Sequence, residues 1–113
     1  MNEQKLCGLM GLTVRARQAV FGEDACLKAV RGGTCALLLL DGEASPRTAE
    51  KYSGACENAG VPLFLLPDGL LSRATGKPGV AMAVQPGSLA EALRQALQDE
   101  NQTDQESSVP TAR

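Results

Sequence analysis

Apolar positions recur at two spacings along the chain, and the switch between them predicts the elements. Leu6, Leu9, Met10 and Val14 keep close to a helical period over residues 3–18. Ala19 to Gly22 breaks that period as a short apolar stretch compatible with a brief strand. Glu23 and Asp24 open a second helix, where acidic side chains favour the positive end of the dipole. It runs to Arg31 and stops at Gly32-Gly33. The run Thr34 to Asp41 is apolar on both alternating faces and predicts a central strand covered on both sides. Ser45-Pro46 starts a helix, with serine as cap and proline in the first turn; it continues through Cys56 and ends at Gly60. Val61 to Leu66 reads as a second buried strand, with Pro62 tolerated near its beginning. Pro67-Asp68-Gly69 turns the chain into a short helix from Leu70 to Thr75. Gly76 to Gly79 is another turn, and Val80 to Val84 is a third buried strand. Ser88 caps a last helix to about Gln98.

Strands alternating with helices predict an α/β fold, a three-layer α-β-α sandwich around a small mixed sheet of about four strands. The 113 residues suffice for one domain, placed at 1–98. From Asp99 onward the chain is polar and aperiodic, which predicts a disordered acidic tail over 99–113. Aromatic residues make up only 3%, so Leu, Val, Ala and Met must build the core. Cys35, Leu37, Leu39, Leu65 and Met82 are expected among its buried positions.

The net charge of −2 argues at first against nucleic acid, but its distribution changes that reading. Without residues 99–113 the balance is ten basic against nine acidic residues. A domain so close to neutrality can hold RNA only through a local basic patch. The four cysteines form no CxxC knuckle and there is no histidine, so neither a metal site nor a cofactor is expected. They read as small core residues of a reduced chain. The start of the sequence has no apolar signal core, and Ala36 to Leu40 is too short to span a bilayer; a cytoplasmic location is expected. No catalytic residue stands out. Gly76-Lys77 lacks the rest of a phosphate loop, since Pro78 stands where Ser or Thr should hold magnesium and Leu71 where a glycine belongs. No cysteine has a base beside it in sequence. The chain is expected not to be an enzyme.

Two segments could read RNA. In Gly22-Glu23-Asp24-Ala25-Cys26-Leu27-Lys28, with Arg31 beyond, a glycine and a helix N-terminus follow a short strand, and free backbone N–H groups there can face phosphate or base edges. Its alternative reading is a solvated helix start with a weak surface ion pair. In Leu70-Leu71-Ser72-Arg73-Ala74-Thr75-Gly76-Lys77, leucines can lie on an exposed base while Arg73 and Lys77 meet phosphates. Its alternative reading is a connection whose leucines pack into the core.

Taken together with Leu9 to Arg17 and Val61-Pro62, these segments resemble the bacterial YlxQ and YbxF proteins, relatives of ribosomal proteins L-seven-Ae and L-thirty-e. The resemblance covers about Leu6 to Leu97. It implies an α-β-α sandwich that binds a kink-turn, a sharply bent RNA element with sheared G·A pairs. By position, Gly22, Asp24, Ala25 and Lys28 match the family segment that contacts guanines. Leu71, Ser72, Arg73 and Ala74 match the loop that covers an unstacked base. The sequence departs from the family at Asp24 (for Asn), Ala25 (for Glu) and Ser72 (for Gly). The expected site is thus Gly22, Glu23, Asp24, Ala25, Lys28, Arg31, Leu71, Ser72, Arg73, Ala74 and Lys77. The expected partner is a structured RNA, ribosomal RNA included, bound by a monomer, with no membrane and no small-molecule substrate. The alternative is a protein-interaction module on the same scaffold with a degraded RNA site. Convergence of Lys28, Arg31, Arg73 and Lys77 on one face favours RNA; dominance of Glu23 and Asp24 there favours the alternative.

Overall fold

The structure, a computed structural model, describes residues 2–108, and of residues 99–108 the backbone alone. Its elements are α1 Glu3–Arg15, β1 Ala19–Phe21, α2 Glu23–Gly32, β2 Leu37–Asp41, α3 Pro46–Ala59, β3 Leu63–Leu66, α4 Leu70–Thr75, β4 Ala81–Val84 and α5 Ser88–Ser108. Local chemistry accounts for their ends. The Asn2 side chain accepts from Lys5 N–H at 3.0 Å and caps α1. Ser45 Oγ accepts from Thr48 N–H at 3.1 Å, with Pro46 opening α3. Gly33 closes α2 in the left-handed conformation.

The strand order is β1-β4-β2-β3. β4 runs antiparallel to β1 and to β2, while β2 and β3 are parallel. Alternate residues of β2 serve opposite layers. Leu37 and Leu39 pack with Leu6 and Met10 of α1, Leu70 and Leu71 of α4, and Leu93 of α5. Leu38 and Leu40 pack with Cys26 and Val30 of α2 and with Tyr52 and Cys56 of α3. This is the expected α-β-α sandwich around a four-stranded mixed sheet. Cys35, Leu37, Leu39 and Met82 are buried as expected. Among the described residues no helix is long and apolar enough to cross a membrane.

Two expectations need correction. β3 is not buried along its length as expected; it lies at the sheet edge, paired with β2 alone, and of its residues only Leu66 is fully enclosed. Leu63 reaches the α2–α3 cluster, but Leu65, two residues on and on the same face, is 65% exposed. An apolar run shows that a strand exists and not how far the covering helix extends. The last helix also runs past Gln98, to Ser108. Residues 99–108 contain neither glycine nor proline, and Glu and Gln are good helix formers. Residues 109–113 of the expected tail lie outside the described residues.

Cys26, Cys35 and Cys56 are buried in the layer under α2 and α3, and Cys7 is half-buried. Burial pushes all three enclosed thiols up, Cys35 to about 11, so they stay protonated and act as small apolar residues.

Leu39 is fully buried at the centre of the sheet. Leu39→Ala should lower unfolding free energy by roughly 2–5 kcal/mol in a urea titration. A cost below about 1 kcal/mol would contradict this packing.

Candidate nucleic-acid interface

β1, β2 and β3 point the same way, so their C-terminal ends share one end of the sheet. The register aligns Phe21 with Met82, Leu40 with Ala81, and Asp41 with Leu66 there. From that end the chain leaves into the start of α2, into the turn before α3, and through Pro67 into α4; it returns through residues 76–80 into β4. In open α/β sheets such ends collect ligands, because the loops there are free to vary while the strands hold them.

Gly22 makes the strand-to-helix turn at φ +93°, a conformation that a side chain would strain. No side chain caps α2, so its first N–H groups remain open to a partner. Glu23, Asp24 and Ala25 are all exposed. Glu23 forms an ion pair with Lys51 of α3. The pair is too exposed to add much stability, but it sets a positive charge against Glu23 on this face.

A pocket of about 210 Å³ opens beside this turn. Gly22 and Glu23 form one wall, Thr48 and Tyr52 of α3 another, and residues 78–81 the third. Tyr52 is 1% exposed. Burial pushes its hydroxyl well above the ordinary tyrosine range, and the neighbouring Cys26 and Glu23 add to the shift. The hydroxyl is therefore a neutral donor throughout the physiological range.

Asp41 supports the other side of this end. Its side chain is 2% exposed, yet it carries a carboxylate. Oδ1 accepts from Glu43 N–H and from Gly69 N–H, both at 2.9 Å, and Oδ2 accepts from Leu71 N–H at 3.0 Å. Desolvation pushes its pKa up, but those three N–H groups, helped by the charge of Arg73, outweigh it and hold the carboxyl below its ordinary value. One carboxylate thus fixes both the turn after β2 and the first turn of α4. Gly42 fits beside it because a Cβ there would collide with the Asp68 carboxylate and lie 3.0 Å from Leu66 O.

The expected residues divide. Leu71 is fully buried, so its side chain cannot lie on a base; in the second segment the leucines pack into the core. Ser72, Arg73 and Lys77 are exposed, and Ala74 is half-buried against the core. Lys28 borders a groove of about 330 Å³ along the β1 side of α2, with Val20 and Thr34. Arg31 borders a different groove, of about 250 Å³, with Ala55 and Asn58 of α3. It stands eight residues beyond Glu23, roughly 12 Å along the helix axis. The four cations therefore do not all converge. What the fold brings together is the α2 start with residues 78–81, Thr48 and Tyr52. Of these partners the sequence reading missed Thr48, Tyr52 and the residues beyond Lys77. Tyr52 carried a usable signal, as the only tyrosine in a chain with almost no aromatic residues.

No protein-family model matches the chain. It is 37% identical over 87 residues to the RNA-binding protein YlxQ of Bacillus subtilis, an alignment covering 75% of this chain and 87% of that protein. The chain belongs to the YlxQ family. The YlxQ protein of Enterococcus faecium is 24% identical over 98 residues, 86% of this chain and 95% of its own length. Among solved structures, a protein of unknown function from Bacillus halodurans superposes with a TM-score of 0.77 at 33% identity, covering 84% of this chain and 97% of that one. A 15.5-kD RNA-binding protein of Giardia lamblia shares the fold with a TM-score of 0.70 at 19% identity, covering 85% and 87%. The curated YlxQ relatives are named for RNA binding and not for a reaction.

The carboxylate tie makes a pH prediction. A carboxyl with a folded pKa below its unfolded value stabilises the fold above about pH 4 and loses that contribution as acid protonates it. Asp41→Asn should cost about 1.5–3 kcal/mol at neutral pH, the range for a hydrogen bond to a charged group. Melting curves of the parent and the variant should converge as the pH falls below about 4. A constant gap from neutrality to pH 3 would show that the charge is not what Asp41 contributes.

Proposed function

We propose that this YlxQ-family chain binds a bent, structured RNA of the kink-turn type, through the sheet end where the α2 start meets residues 78–81. The pocket between them carries the reading. It is lined by the backbone turns at Gly22 and residues 78–81 and by Glu23, Thr48 and Tyr52, with uncapped α2 N–H groups beside it. A cavity of that kind suits one unstacked base, whose edge can meet a hydroxyl and backbone donors. Exposed Arg73 and Lys77 suit the phosphates on either side. The names of the curated relatives support RNA as the ligand class. The pairing of Glu23 with Lys51 leaves Asp24 as the acidic group in the α2 first turn without an ion-pair partner among the described residues, so acidity does not dominate this face. Ribosomal RNA is the proposed source of the element, which co-sedimentation with ribosomal subunits tests.

The deciding experiment is a binding titration at stated salt with a kink-turn RNA, the same RNA lacking its unstacked nucleotide, and a straight duplex. The kink-turn should bind tightest, and loss of the unstacked nucleotide should weaken it. Equal binding to all three overturns the reading.

Within that titration Lys28→Ala should cost roughly 1–3 kcal/mol on the kink-turn and much less on the duplex, as expected of a cation at a guanine edge. Equal losses on both RNAs would reduce Lys28 to a general phosphate contact.

Asp24 gives a sharper test. At the α2 start its charge favours the helix dipole by about 0.3–1 kcal/mol. Against RNA the same charge repels phosphates. Asp24→Asn should leave the melting temperature nearly unchanged and tighten kink-turn binding, most at low salt where screening is weakest. Weaker binding with an intact melt would mean that Asp24 accepts a hydrogen bond from a guanine.

A further inference from the structure

We propose that Arg15, on α1, is an additional RNA contact that extends the basic surface of α4 across the seam between the two helices. The inference rests on the RNA reading above and adds a residue from an element that reading does not use. It starts from the close approach of α1 and α4. A Cβ placed on Gly11 would lie 3.8 Å from the carbonyl oxygen of Ala74 and 3.5 Å from Arg15 Nη1. The guanidinium therefore lies back over its own helix, one turn toward the N-terminus, as helical side chains do. There it borders the last turn of α4. Both distances are ordinary van der Waals contacts, so the seam is close-packed at position 11.

The position matters because of its neighbours. Ala74 sits between Arg73 and Lys77, both exposed. Arg15 is also exposed, and among the described residues it takes part in no ion pair or side-chain hydrogen bond. α4 carries no acidic residue, and the one acidic residue on α1, Glu3, stands at the opposite end of that helix. Arg15 of α1, Arg73 of α4 and Lys77 in the turn beyond α4 thus bring three exposed cations to the neighbourhood of the α1–α4 seam, with no acid on the facing ends of the two helices. A guanidinium with all its donors open to solvent is suited to phosphate oxygens, which it can take two at a time. A structural role competes with this one. A cation beside the last turn of α4 could serve only to cap its carbonyl groups.

The test uses Arg15→Gln in the full chain, with Arg94→Gln as a charge-matched control on α5, where Arg94 is paired with Glu91. Binding of a kink-turn RNA with an extended stem is titrated from low to moderate salt, and each variant is melted. Arg15→Gln should weaken binding several-fold at low salt and flatten the slope of log K against log salt by about one unit. The control should match the parent, and the Arg15→Gln melt should be unchanged. A slope equal to the parent's overturns the proposal. So does a fall in melting temperature that accompanies the loss of affinity, since that outcome assigns Arg15 to capping α4. Should the parent itself bind none of the RNAs, the functional reading fails and this inference with it, a result distinguishable from an unchanged slope.

Discussion

A carboxylate enclosed at the end of an otherwise apolar strand sets a condition that the surrounding chain must meet. Asp41 follows four leucines into the interior, and a buried charge without partners would cost several kcal/mol. Three backbone N–H groups meet it, one just ahead in sequence and two from nearly thirty residues away. They are donors that turns and helix starts leave unpaired, so the charge and the orphan groups satisfy each other. Because Gly69 and Leu71 are both held, α4 cannot slide along the sheet without breaking the tie. The placement of Arg73 and Lys77, and of the return into β4, follows from it.

The interface is an assembly of chain reversals on a rigid platform. The sheet and its two helical layers hold the turn at Gly22, the start of α3 and the segment entering β4 close together, although they are far apart in sequence. The pocket belongs to no single motif. Its chemistry is modest: backbone donors, the Thr48 and Tyr52 side chains, and the Glu23 carboxylate paired with Lys51 at the margin. Such an arrangement suits recognition of shape and of one exposed base more than it suits a reaction.

Much of this was legible in the sequence because the signals were local. Ser45-Pro46 marked the start of α3, Gly32-Gly33 the end of α2, and the short helix Leu70 to Thr75 has the extent its flanking turns indicated. The layers followed from alternation, since four consecutive leucines can be buried only between two covers. What escaped depended on long-range placement. Nothing in Val61 to Leu66 says that this strand lies at the edge, so Leu65 was read as buried. Leu71 was placed at the site by its match to the loop that covers an unstacked base, with packing into the core as the alternative; that core position depends on α1 and α5. Thr48 and Tyr52 share a face of α3, but only the strand order brings the run into β4 against them. Asp41 could have been noticed, since an acid closing an apolar run must find donors, but the sequence does not say which ones.

The position of β4 has a consequence for how the molecule comes into being. It is last of the strands in the chain, yet it lies between β1 and β2, and β1 pairs with no other strand. During synthesis the first strand must therefore wait for about sixty further residues before it has a partner. Such non-local pairing slows folding, because the entropy of closing the long loop is lost before the contacts that offset it can form. The pocket appears at the same moment, since residues 78–81 enter it as β4 docks. A nascent chain that stops short of Val84 has neither a finished sheet nor this pocket, so the fold and the proposed binding surface are completed together.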